Sequence, residues 1–196
     1  MEDGTRALVQ GQDSKYLKFE EVLCQACNTT LTQPFDRAYD AFIEHVSANT
    51  DTILALRRID LRDVFGTCGR KRRRNLFNYF LKSFGCRLAS CGVTVPPEIQ
   101  RAIHGDPVPT TLVLTFSVYE PLANISTALE KIAVVHRLEG TKDALTGEYD
   151  DLNWGISYGW FTVAFWYRKR HNPTMGDPWN GQSRHIVLGS LNDAAI

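Results

Sequence analysis

A chain of 196 residues in which 22 Lys plus Arg balance 22 Asp plus Glu has no formal net charge, and 43% apolar and 22% charged residues are an ordinary globular mixture. That composition excludes a disordered tail, a collagen and a coiled-coil rod, and the length suits one domain. No apolar run is long enough to span a bilayer, and the polar, acidic start MEDGTRALVQGQDSK is unlike a secretory signal. An odd count of five cysteines, with no visible route to an oxidising compartment, reads as free thiols.

Neutrality hides a segregation. Residues 1–64 carry 7 basic and 11 acidic groups, residues 65–104 carry 8 and 1, and residues 105–196 carry 7 and 10. Local potential rather than total charge steers a partner, so the middle fifth of the chain is where an anion is expected.

Residues 1–17 have no apolar period and read as a mobile arm, followed by a single domain over residues 18–196. In residues 34–48, Phe35, Tyr39, Phe42 and Val46 share one helical face opposite Asp36, Arg37, Asp40 and Glu44, with Pro34 near the start. Residues 51–64 are less regular and are expected to be a strand with a loop. The helical period returns over residues 72–88, where Leu76, Phe77, Phe80, Leu81, Phe84 and Leu88 form one stripe. A short strand at residues 92–95 and a short helix from Pro97 to residue 103 come next.

Residues 110–119 alternate cleanly, Leu112, Leu114, Phe116 and Val118 against Thr111, Thr115 and Ser117, as a half-buried strand does. Residues 122–132 space Leu122, Ile125, Leu129 and Ile132 as a helix, running into a strand at residues 133–138, and residues 142–151 are a polar turn. The most apolar stretch, residues 154–167, is expected to be one strand, open on one face at its beginning and buried on both from Phe161 onward. A last strand at residues 185–191 is expected to pair with it. Helices first and strands later point to an α+β fold, an antiparallel sheet with two or three helices on one face.

The sharpest feature is a pure basic run, Arg70, Lys71, Arg72, Arg73 and Arg74, directly before the aromatic helix, which the period starts near Asn75. Cations at a helix N-terminus oppose the positive end of the macrodipole, and a bound phosphate relieves that repulsion. RNA, DNA, an acidic membrane surface or a nuclear-import receptor would each supply the charge. The competing reading is a solvated charge run with no specific partner. A second cluster, Arg168, Lys169 and Arg170, follows the aromatic strand, and Tyr158, Trp160 and Tyr167 could stack on bases if their face were open. Core or interface is the commoner fate of alternating aromatics, and Tyr158 and Trp160 are assigned to self-association.

No catalytic signature is visible. Cys24 and Cys27 form a CxxC, but the nearest other pair, Cys86 and Cys91, lies far along the chain, so no metal or cofactor is assigned. The histidines lack metal-ligand spacing, and there is neither a phosphate-binding glycine loop nor a Gly-x-Ser-x-Gly elbow. A non-enzymatic interaction protein is the reading the residues favour.

The series PFDRAYDAFIEHV, GRKRRRNLFNYFLKSFG and TLVLTFSVYEPL, followed by a helix and an aromatic strand, resembles the matrix proteins of rhabdoviruses, plant-infecting members included. The resemblance spans residues 34–170 and rests on the order and character of segments. It implies a structural protein of the virion and host cytoplasm that binds the nucleocapsid and its RNA, self-associates as a homo-oligomer and contacts membrane. The basic run, read by itself, also suits an import signal to the host nucleus. The chain departs from that pattern in its acidic arm and in lacking a Pro-Pro-x-Tyr or Pro-Thr-Ala-Pro motif. The alternative is a small RNA-binding or nuclear-entering regulator, such as a silencing suppressor.

Overall fold

The computed structural model describes residues 8–9, 26–107, 109–123, 133–169 and 178–191. They form an α+β domain. A single π-turn at Cys27–Leu31 leads into α1 (Gln33–Ala48), which buries Phe35, Phe42 and Val46 of the expected stripe together with Ala38, while Tyr39 is half-buried at its edge. Pro34 sits in the first turn, where its missing N–H costs nothing.

Residues 51–64 differ from expectation. Instead of a strand and a loop they divide into α2 (Thr50–Leu56), β2 (Arg58–Asp60) and α3 (Leu61–Phe65), after an earlier short strand, β1 (Leu8–Val9). Two local features cut the segment: Arg57 takes a left-handed φ of 51°, ending α2, and the Asp60 side chain accepts from the Arg62 N–H at 2.9 Å, starting α3. α4 (Arg70–Ser90) and α5 (Pro97–Ile103) follow, and residues 92–95, expected as a strand, join them without regular structure.

α1 and α4 lie side by side. Tyr39 stacks on Tyr79 at 3.9 Å, Phe42 meets Phe80 edge-on at 6.4 Å, and Lys82 pairs with Asp36. α4 drives its aromatic stripe into the sheet, where Phe80 touches Phe116 and Phe165 at 5.8 and 6.0 Å and Phe84 stacks on Phe165 at 5.6 Å.

The sheet adds β3 (Leu112–Tyr119), β4 (Ala133–Val135), β5 (Glu139–Lys142), β6 (Tyr149–Tyr158), β7 (Phe161–Arg168) and β8 (His185–Leu191), with a short α6 (Glu120–Ala123) after β3. Its order is β1-β4-β6-β7-β3-β8-β2, with β5 paired to β6 off that path. The single strand expected over residues 154–167 is two, because the chain reverses at Gly159, whose φ is 55°, and Trp160. Nor does β8 pair with that stretch. It runs parallel to β3 and antiparallel to β2, so the sheet is mixed.

The central strands β3, β6 and β7 share the same two faces. Leu112, Leu114, Phe116 and Val118 of β3 and Phe161, Val163, Phe165 and Tyr167 of β7 lie buried under α1, α4 and α5, and Trp154 stacks on Phe165 at 4.8 Å. The opposite face is small and polar, and hydrogen bonds offset its burial: Trp166 Nε1 donates to Thr115 Oγ1 at 2.8 Å, and Ser157 Oγ lies 2.8 Å from Thr162 Oγ1 and 2.9 Å from His136 Nε2. Trp166 is half-buried rather than enclosed on both sides, a further correction to the sequence reading. The arm was expected to be free of structure, yet Leu8–Val9 pair with β4, and the rest of residues 1–17 lies outside the described residues, as does the helix expected beyond Ala123. Among the described residues no helix is long and apolar enough to cross a membrane.

Candidate anion-binding surface

The helix that the sequence period starts near Asn75 begins at Arg70, so the basic run is the first turn of α4 itself. Its entry is tightly built. After α3 the chain turns at Gly66, with φ 75°, and a Cβ on Gly69 would lie 2.7 Å from the Phe65 Cβ, so only glycine fits as the residue before the helix. A glycine offers no side chain to cap the free N–H groups, and no acidic residue stands in the first turn.

Each exposed cation at a helix start costs about 0.3–1 kcal/mol at low salt, and like charges at i,i+4 add a few tenths more. Burying one Leu or Phe side chain contributes about 1.5–3 kcal/mol, and α4 buries Leu76, Phe77, Phe80, Leu81, Phe84 and Leu88. Packing therefore outweighs the repulsion, and the helix forms with its cations unneutralised.

The five cations have different fates. Arg70, Lys71 and Arg72 are exposed and have no hydrogen-bond or ion-pair partner among the described residues. Arg73 is half-buried, with its Nε covered and unpartnered. Arg74 is engaged: its Nη2 donates to the carbonyl oxygens of Gly105 and Asp106 at 2.8 and 2.6 Å, strapping the loop after α5 to the start of α4.

That strap brings in a residue the sequence reading did not assign. Arg101 of α5 is exposed, and its Nε lies 3.6 Å from an Asp106 carboxylate oxygen, beside the Arg74 guanidinium. Arg101 does belong to the basic middle fifth of the chain, which was the available signal, but its distance in sequence from Arg74 hid the adjacency.

Two residues of the second basic cluster have acidic neighbours. Arg168 lies 3.6 Å from Asp151 and over the Trp166 ring at 5.4 Å, and Lys169 Nζ sits 2.8 Å from Glu148, whose hydrogen bond raises the lysine pKa. Arg170 lies outside the described residues. The stacking platform is corrected too. Trp160, in the turn of the hairpin, has no exposed surface, and Tyr167 is buried on the helix-covered side with its hydroxyl donating to Glu98 Oε1 of α5 at 2.9 Å.

Of the two residues assigned to self-association, Trp160 offers no surface in the single chain, and Tyr158 is half-buried and hydrogen-bonded to Tyr39, with burial raising the pKa of both hydroxyls. Cys27, Cys68, Cys86 and Cys91 are unbridged, Cys24 lies outside the described residues, and burial raises the pKa of the Cys86 thiol. Among the described residues no group of three His, Cys, Asp or Glu side chains gathers as a metal site.

No known protein family, curated protein or solved structure matches this chain.

Proposed function

We propose that this is a non-enzymatic structural protein that binds RNA phosphates through the start of α4, in the manner the resemblance to rhabdovirus matrix proteins implies: it binds a nucleocapsid, assembles with itself, and works in the virion and host cytoplasm. One observation carries the reading. Three consecutive cations, Arg70, Lys71 and Arg72, stand without a partner among the described residues, at a helix start that has neither cap nor acid. Phosphate oxygens supply both the missing charge and acceptors for the free N–H groups. An acidic membrane surface and an import receptor draw on the same cations.

Binding to a single-stranded uridine oligomer across a salt series tests it. Each phosphate contact contributes about −0.7 to the slope of log affinity against log salt, so alanine at Arg70, Lys71 and Arg72 together is expected to flatten the slope by about 2, and to weaken binding about a hundredfold at 0.1 M salt. An unchanged slope in a folded variant overturns the proposal. Light scattering on the nuclease-treated protein separates the rival class: a matrix-like protein grows into large particles as salt falls, and a small regulator stays a defined oligomer.

A further inference from the structure

Residues 65–110 contain only two acids, Glu98 and Asp106. Glu98 is taken up by the Tyr167 hydroxyl at the sheet. Asp106 stands at the basic surface. Its position is set by backbone rather than by its own carboxylate: the Asp106 N–H donates to the Arg101 carbonyl at 3.1 Å, Gly105 makes the turn at φ 113°, and Arg74 Nη2 holds the Asp106 carbonyl at 2.6 Å. The carboxylate is thereby parked 3.6 Å from Arg101 Nε, and both partners keep more than half of their side-chain surface in solvent, at 63% and 57%.

We propose that Asp106 is a built-in competitor at the RNA-binding surface, occupying Arg101 until a phosphate displaces it. The inference rests on the RNA-binding reading of α4 and adds Arg101 as a further contact and Asp106 as the group that restrains it. The energetics favour exchange. A solvent-exposed ion pair at this distance contributes little, whereas a guanidinium meets a phosphate through two parallel, charge-assisted hydrogen bonds. Because Arg74 fixes the backbone of the loop, the carboxylate can swing aside while Arg101 stays next to the loop that Arg74 holds. A polyanion then gains one more cation, and the surface discriminates against ligands too short to reach it.

The test measures a single-stranded uridine oligomer across a salt series with four forms of the full chain. Asp106→Asn keeps the backbone carbonyl that Arg74 holds and removes the competing charge. It is expected to raise affinity about fivefold at 0.1 M salt and to leave the slope within about 0.3 of the parent's, because the same phosphate reaches Arg101 in both forms and only the cost of displacing the carboxylate is removed. Arg101→Ala added to Asp106→Asn is expected to abolish that gain and to flatten the slope by about 0.7, the signature of one lost phosphate contact. Glu139→Gln removes the same charge from an exposed position on β5 and is expected to change affinity less than twofold.

Equal effects of Asp106→Asn and Glu139→Gln, or an Asp106→Asn gain that survives loss of Arg101, overturn the competitor while leaving RNA binding in place. If the parent binds the oligomer no better than the variant with alanine at Arg70, Lys71 and Arg72, the RNA-binding reading fails and the competitor falls with it.

Discussion

The beginning of α4 and the end of β7 carry similar basic clusters beside aromatic residues, and the fold treats them in opposite ways. On β7, Arg168 stands directly across from Asp151 in the register of β6, so the pairing that makes the hairpin also delivers a carboxylate to the guanidinium. Lys169 finds Glu148 just ahead of β6 in the same way. At the start of α4 residues 66–78 contain no acid, and the tertiary contact that Arg74 makes there is to backbone carbonyls, whereas Lys82 farther along the helix meets Asp36 of α1. What separates the two clusters is whether the packing of neighbouring elements delivers a carboxylate to them. A basic cluster is therefore informative about partners only after its intramolecular neighbours are known.

The largest effect that bears on this contrast belongs to the core beneath α4. Phe80 meets Phe42, Phe116 and Phe165, and Phe80→Ala is expected to cost about 3–5 kcal/mol in urea unfolding. A cost near 1 kcal/mol would mean that packing does not hold the repulsive helix start in place, and the account of why that start is tolerated would fail.

Next comes Arg74, which belongs to the basic run in sequence and to the α5 loop in structure. Arg74→Ala is expected to lower stability by about 1 kcal/mol and to speed amide hydrogen exchange in residues 104–106, with less effect on the RNA salt slope than removal of Arg70, Lys71 and Arg72. A slope change as large as that of the triple variant would return Arg74 to the phosphate-binding set.

Smaller still is the effect expected at the neutralised cluster. Alanine at Arg168 and Lys169 together should cost no more than about 1 kcal/mol and leave the salt slope within about 0.3 of the parent's. Flattening comparable to that at α4 would show that the ion pairs open in solution and that the two clusters are equivalent.

A third meeting of acid and base gives the pH dependence. Hydrogen bonds from the Arg62 side chain and N–H hold the Asp60 carboxyl well below the usual carboxylate range, helped by Arg184 nearby. A depressed folded pKa stabilises the protein above the unfolded value of about 4, and that contribution is lost progressively as the pH falls below it. Asp60→Asn keeps a good helix cap and is expected to flatten the fall in melting temperature on acidification below about pH 4. An unchanged acid limb would show that Asp60 is not held by Arg62 in solution.

Much of the helical layer was legible along the chain. The spacing of Phe35, Phe42 and Val46 marks the buried stripe of α1, that of Phe77, Phe80, Phe84 and Leu88 marks α4, and strict alternation marks β3. These signals are local, because an amphipathic element writes its own period into neighbouring residues. The basic run was equally plain, although it lies within α4 and not ahead of it.

What tertiary structure alone decided was which face is covered and which charges are cancelled. Period two puts Trp154 and Tyr158 on one side of β6 and Gly155 and Ser157 on the other, but it cannot say that the helices cover the first side. Nor does alternation register a reversal of the chain at Gly159, so Trp160 turns out buried and Trp166 half-open, the reverse of the sequence reading. The parallel pairing of β8 with β3, the carboxylates that spend Arg168 and Lys169, and the strap that sets Arg101 and Asp106 beside Arg74 all join residues far apart in the chain. Coulomb and hydrogen-bond energies depend on distance in space, and a one-dimensional pattern carries no such distance until the sheet has closed.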